Sequence, residues 1–191
     1  LILSNPDFAV AYMAAIMEGC DGCHGPQGVS QSSDITSIAG LPEFELVDAK
    51  YVSQDEARPC AESEYRQGDT SSPATTMCAV AAALSEDDID AVSAEYGAMG
   101  WTKVKQDFDA GLAAAGKAVH DSSCDRCHSE AGTNADDEAS MLGGQQMGYL
   151  RNMFAQYKDG SREQPSKMQE KVDALSADDV EALVHYYGSI Q

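Results

Sequence analysis

Cys20-Asp21-Gly22-Cys23-His24 returns as Cys124-Asp125-Arg126-Cys127-His128, 104 residues further along a chain of 191. A second echo lies downstream of each copy. Met77 is followed by Leu84-Ser85-Glu86-Asp87-Asp88, and Met168 by Leu175-Ser176-Ala177-Asp178-Asp179. That register, an offset of 91, continues through Ala91 and Ala182 to Tyr96-Gly97 and Tyr187-Gly188. The two offsets differ by 13, so the first half carries a net insertion between its CxxCH and its methionine, within the stretch from Leu41 to Ser72. Each half therefore reads CxxCH, loop, methionine, helix, which is the mark of an internal duplication.

CxxCH is the attachment signature of c-type haem. Two thiols add across the two vinyl groups, and the spacing lets both sulfurs reach one porphyrin edge. The adjacent histidine then lies under the iron. The competing chemistry is a structural zinc site, but that needs a second close pair of ligands, and neither half supplies one. The expectation is two covalent haem c groups, on Cys20 and Cys23 and on Cys124 and Cys127, with His24 and His128 as axial ligands. Thioether sulfur on the far side of the iron favours the ferrous state and raises the potential. Of eight methionines, Met77 and Met168 hold equivalent places in the repeat and are the expected sixth ligands. Met13, Met17, Met141 and Met153 read as core filler, and Met99 and Met147 have no counterparts. His120, four residues before its own CxxCH, and His185, mid-helix, are the rival ligands and the poorer ones. Trp101, Tyr149, Arg151 and Tyr157 are candidate donors to haem propionates, with packing or solvation as their alternative roles.

The local pattern predicts an all-α protein. Phe8, Tyr12, Ala15 and Ile16, and again Phe108, Leu112, Ala115 and Val119, fall at helical spacing before the two CxxCH motifs. Ser85 with Asp88, and Ser176 with Asp179, are capping boxes that open the last helix of each half. Ile89, Val92 and Tyr96, like Val180, Leu183 and Tyr187, then share one face. Stretches 25–34 and 131–140 are loops. The expected division is a first domain over 1–98, a linker over 99–107, and a second domain over 108–191.

Thirty-two acidic residues against 12 basic ones give a formal net charge of −20, which excludes non-specific nucleic-acid binding. The acidity fits a solvated surface, a source in high salt, or a docking face for a basic partner. No run of eighteen apolar residues offers a transmembrane helix. The start lacks a basic region followed by an apolar core, so it reads as a chain whose leader has been removed. Cys60 and Cys78 form an even remainder, and an oxidising compartment permits a disulfide between them, two separate buried thiols being the alternative.

The paired CxxCH…Met halves resemble the dihaem cytochrome c4 type over nearly the whole chain. The second half is similar to the dihaem cytochrome subunit of flavocytochrome c sulfide dehydrogenase. That likeness lies in Val104-Lys105-Gln106-Asp107-Phe108-Asp109, in Gly116-Lys117-Ala118-Val119-His120-Asp121, in Gly143-Gly144-Gln145 with Tyr149-Leu150, and in Lys167-Met168. The resemblance implies two tandem class I cytochrome c domains related by a pseudo-twofold, with the haem edges close together. The first half departs from it: it lacks the Gly144-Gln145 pair, and its segment from Cys60 to Cys78 has no counterpart. The expected role is periplasmic electron transfer without a catalytic side chain. The chain is then a free carrier between a quinol-oxidising complex and a terminal oxidase, or the electron-accepting subunit of a sulfide or sulfur-compound dehydrogenase whose flavoprotein subunit is a separate chain. The alternative is a dihaem enzyme, of a peroxidase or thiosulfate-oxidising type, with one displaceable axial ligand.

Overall fold

The computed structural model describes residues 6–60, 62–63 and 75–191. In the first half α1 (Pro6–His24), α2 (Glu43–Gln54), α3 (Met77–Ala82) and α4 (Glu86–Gly97) follow one another. In the second half come α5 (Ala110–Ser123), the short α6 (Ser129–Gly132), α7 (Met147–Asp159), α8 (Ser166–Ala174) and α9 (Ala177–Gly188). The described strands are two residues each, Glu62–Ser63 antiparallel to Thr75–Thr76. The architecture is all-α, and α2, α3 and α4 answer to α7, α8 and α9.

Short-range chemistry explains where these helices begin. Ser85 Oγ accepts from the Asp88 N–H at 3.2 Å while Asp88 Oδ2 accepts from the Ser85 N–H at 3.0 Å. Ser176 and Asp179 repeat the box at 3.1 and 2.9 Å. Each box satisfies two N–H groups that a helix start leaves without partners, a contribution of about 1 kcal/mol. Asp109 caps α5 through the Leu112 N–H at 2.8 Å. Thr76 caps α3 through the Ala79 N–H at 3.0 Å, which places Met77 at the first helical residue.

The duplication is also written in the loop hydrogen bonds. The Gly28 carbonyl accepts from Ile38 and Ala39 at 2.8 and 3.1 Å, and the Gly132 carbonyl from Leu142 and Gly143 at 2.8 and 3.2 Å. Gly40 N–H donates to the Tyr96 carbonyl at 2.8 Å, and Gly144 N–H to that of Tyr187 at 2.9 Å. The offset of 104 holds as far as the first residues of α2 and α7, Glu43 and Met147. The extra residues of the first half therefore lie between Gln54 and Met77, of which 61 and 64–74 fall outside the described residues. Within that stretch Cys60 is joined to Cys78 by a disulfide, with Cα atoms 5.6 Å apart. The closed loop of about 19 residues makes the bond worth about 3 kcal/mol in the loop-entropy account.

Helix crossings differ between the halves. Gly116 lies against the backbone of Ala182, so that a methyl group there would meet the Ala182 carbonyl oxygen. This is what lets α5 and α9 approach closely. The matching position of the first half is Tyr12, whose hydroxyl instead reaches Asp88 Oδ2 at 3.3 Å on the surface. The apolar stripe expected from spacing is not the buried face: Phe8, Tyr12, Phe108 and Leu112 are 51, 47, 41 and 36% exposed. In α5 the buried residues are Ala113, Gly116 and His120. Close backbone approach selects the small residues of a helix, and the larger apolar ones are left outside.

The second half packs Leu142, Met147, Leu150, Met153, Phe154, Val172, Leu183, Val184, Tyr186 and Tyr187 into one core. The first packs Leu41, Leu46, Val92 and Tyr96, and takes Met141 from the second half into the same cluster. Polar contacts reinforce that junction. Gln145 Oε1 accepts from the Ser37 N–H at 2.9 Å while its Nε2 donates to the Ser37 carbonyl at 3.1 Å. Gln146 Nε2 donates to the Ser30 carbonyl at 2.6 Å, and the Tyr149 N–H to that of Ser33 at 2.7 Å. The glutamine that the first half lacks is thus the residue that clasps it.

Two results are expected. Gly116→Ala should cost about 1–3 kcal/mol through overpacking, seen as a lower unfolding midpoint. Thiol titration of the denatured, unreduced protein should leave Cys60 and Cys78 unlabelled, and labelling of both would contradict the disulfide.

Candidate haem sites

One cavity of about 2200 Å³ runs between the halves. From the first half Cys20, Cys23, His24 and Met77 line it, and from the second Cys124, Cys127, His128 and Met168. All eight residues expected from the sequence are thereby brought to one space. Its volume is about twice the upper end of the range for a single small-molecule site, roughly 300–1,000 Å³.

Each CxxCH histidine is oriented by a carbonyl twelve residues further on. His24 Nδ1 lies 2.8 Å from the Thr36 carbonyl oxygen, and His128 Nδ1 lies 3.1 Å from that of Ser140. A carbonyl can only accept, so the proton sits on Nδ1 and the lone pair on Nε2. That is the tautomer an axial iron ligand needs, fixed from the outer side of the ring. Burial also lowers the pKa of both imidazoles, which keeps them neutral. The rival histidines are engaged elsewhere. His120 is buried, with Nδ1 3.0 Å from the Tyr187 hydroxyl and Nε2 3.5 Å from Asp125. His185 Nδ1 accepts from the Asp109 N–H at 2.8 Å, and its Nε2 faces Glu181 at 3.1 Å.

Met77 and Met168 both stand in the first turn of a helix. Thr76 caps the turn that carries Met77, and the neighbouring Cys78 is buried and tied to Cys60. The Met168 N–H donates to the Pro165 carbonyl at 2.9 Å, within a turn that Pro165 opens. Both methionines line the cavity.

The cavity also shows polar residues that the sequence did not single out. Arg58 and Arg162, one from each half, line it together with Tyr149 and Tyr157. Arg162 lies over the Tyr157 ring at 5.4 Å. Arg58 Nε is buried and has no hydrogen-bond partner among the described residues. A buried guanidinium donor without an acceptor is costly, and a haem propionate is an acceptor of the right charge. The four thiols, the Nε2 lone pairs, the thioethers and this orphan donor together fit haem c. Of the four propionate candidates read from sequence, Tyr149 and Tyr157 reach the cavity. Arg151 is instead held by Glu181 in a two-point pair at 2.8 and 2.7 Å, and Trp101 Nε1 donates to the Gly143 carbonyl at 3.0 Å. Neither pair is detectable from sequence spacing, because each closes across a loop or between helices.

Glu45 of α2 crosses the junction. Its Oε2 accepts from the Met141 N–H at 3.2 Å, next to the Ser140 carbonyl that orients His128. Burial raises its pKa to about 7, against the pull of the Met141 N–H, the Ser140 hydroxyl and the two arginines. The first half thus touches the loop behind the second histidine, while Gln145 of the second half holds Ser37, next to the carbonyl behind the first.

Comparison with known proteins agrees with this geometry. The family described as cytochrome c oxidase, cbb3-type, subunit III matches residues 111–186. A thiosulfate dehydrogenase electron acceptor from Stutzerimonas stutzeri (strain A1501) is 27% identical over 182 residues, covering 90% of this chain and 78% of that protein. Cytochrome c4 from Acidithiobacillus ferrooxidans superposes with a TM-score of 0.74 at 20% identity, over 90% of this chain and 99% of that one. Reduced cytochrome c4 from Pseudomonas stutzeri gives 0.74 at 22% identity, over 95% and 98%. A thiosulfate dehydrogenase from Marichromatium purpuratum gives 0.70 at 26% identity, over 89% of this chain and 36% of that one. The fold is that of two tandem class I cytochrome c domains, the fold of these cytochromes c4, and the likenesses, taken with the two CxxCH sites on the cavity, support a dihaem electron-transfer cytochrome with two covalently bound haem c groups.

Proposed function

We propose that this chain receives electrons from a dehydrogenase acting on a reduced sulfur compound and passes them to a further acceptor, without catalysing a substrate reaction itself. The single observation that carries the reading is the shared cavity, lined from one half by Cys20, Cys23, His24 and Met77 and from the other by Cys124, Cys127, His128 and Met168. The relative that serves as electron acceptor of thiosulfate dehydrogenase supports the class of donor. In this reading haem 1 is attached at Cys20 and Cys23 between His24 and Met77, and haem 2 at Cys124 and Cys127 between His128 and Met168. Domain limits of 1–98 and 108–191, joined by 99–107, belong to the same proposal. So does a periplasmic site, since haem attachment to CxxCH takes place outside the bacterial cytoplasmic membrane. No helix among the described residues is long and apolar enough to cross a membrane.

Bound haem c supplies an iron that changes oxidation state by one electron. The protein's own part is to hold the ligands still. The Thr36 and Ser140 carbonyls fix both imidazole planes, and the Thr76-capped first turn of α3 and the first turn of α8, opened by Pro165, present the methionines. A ligand set held in place limits reorganisation at each transfer. Arg58, Arg162, Tyr149 and Tyr157 offset buried negative charge. The dihaem-enzyme alternative asks for one displaceable ligand, and the equivalent placement of Met77 and Met168 favours the carrier instead. The acidic surface suits brief encounters with a basic partner, screened by salt.

Replacing Met77 or Met168 by alanine should lower the potential of one haem alone and let cyanide or carbon monoxide bind there. Unchanged potentials in either variant would remove that methionine from the ligand set. Gel filtration of the natively purified protein tests the partner. Co-elution of a stoichiometric flavoprotein would favour a flavocytochrome subunit, whereas haem without flavin, reduced by a thiosulfate dehydrogenase with thiosulfate, would favour the donor proposed here.

A further inference from the structure

The two halves differ in one buried charge. Lys50 of α2 is 6% exposed, with Nζ donating to the Leu46 carbonyl at 3.1 Å and to Ser93 Oγ at 3.0 Å. It pairs with no carboxylate among the described residues, and it lines the cavity beside Cys20 and His24. At the offsets of the repeat, 104 for this helix and 91 for the last, its counterpart is Phe154 and that of Ser93 is Val184. Both counterparts are buried and apolar, 2 and 0% exposed. The second half therefore shows that an apolar pair fills this place in the fold. A buried ammonium is costly where an apolar side chain would serve, so stability does not account for Lys50.

We infer that Lys50 is an electrostatic tuning residue, whose buried positive charge raises the reduction potential of the haem held by Cys20, Cys23 and His24 relative to the other haem. The inference rests on the attachment proposed above. Its physics is Coulombic: reduction removes one positive charge from the iron, so a nearby cation favours the ferrous form, and a buried one is screened little by salt. The charge stands at the site itself, since Lys50 lines the same cavity as Cys20 and His24. Burial brings Lys50 itself down to about 8, which leaves it largely protonated at neutral pH. The consequence is that the electron of the half-reduced protein rests on the first haem more than the ligands alone would place it.

The test is a spectroelectrochemical titration of the holoprotein carrying Lys50→Met, Lys50→Arg, or the transplanted pair Lys50→Phe with Ser93→Val, which the second half shows to be packable. Peptide mapping of the same samples locates the haem on the fragment containing Cys20 and Cys23. The expected result is that one midpoint falls in Lys50→Met and in the transplanted pair, returns towards the native value in Lys50→Arg, and leaves the other midpoint in place. Combination with Met168→Ala identifies the wave, since the Lys50 effect must appear on the haem that Met168→Ala does not shift. Unmoved midpoints, or equal movement of both, with haem present on that fragment, would overturn the inference. A fragment without haem would overturn the attachment reading, and the inference with it.

Discussion

The hydrogen bond from each CxxCH histidine to a backbone carbonyl is the constraint around which the rest is arranged. It fixes the tautomer, turns the imidazole plane, and requires that a loop return to the motif twelve residues after it. That return is made by Gly28 and Gly132, whose carbonyls gather the N–H groups of residues just beyond the acceptors. The loops then hand over to α2 and α7. Their backbones are in turn secured by the last helix of each half through Gly40 to Tyr96 and Gly144 to Tyr187. One short contact at the histidine thereby propagates into the relative placement of three helices.

The same loops meet at the junction of the halves. Ser37, next to the carbonyl that holds His24, is clasped by Gln145; Ser140, whose carbonyl holds His128, lies beside Glu45. Each CxxCH histidine is therefore supported by its own half and backed by the other. The two contacts differ in kind, a neutral amide on one side and an ionisable carboxyl on the other, so the halves are matched in geometry and unmatched in charge.

What was legible in the sequence was what short spacing encodes. The CxxCH motifs, the capping boxes and the paired methionines all lie within a few residues or repeat at a fixed offset, and duplication made each one visible twice. The first turns of α4 and α9 could be placed for that reason. The faces of α4 and α9 were read correctly, but the apolar spacing of α5 does not mark its buried face, because the crossing with α9 selects the smallest residue, Gly116. Arg58 and Arg162 were passed over because nothing in their flanks marks them; only the chain's return from opposite halves puts them on one wall. Arg151 showed the reverse error, a plausible donor already occupied by Glu181 one helix away.

Met141 carries a consequence for how the duplicated halves relate. Its side chain, 4% exposed, completes the cluster of Leu41, Leu46, Val92 and Tyr96 that belongs to the other copy. A first half expressed alone would lack a piece of its own interior, and a void left by a methionine-sized group costs about 2–5 kcal/mol. The second half closes its core with its own residues. The duplicated halves thus stand as lender and borrower: the first depends on the second for part of its interior, and the second makes no such demand in return.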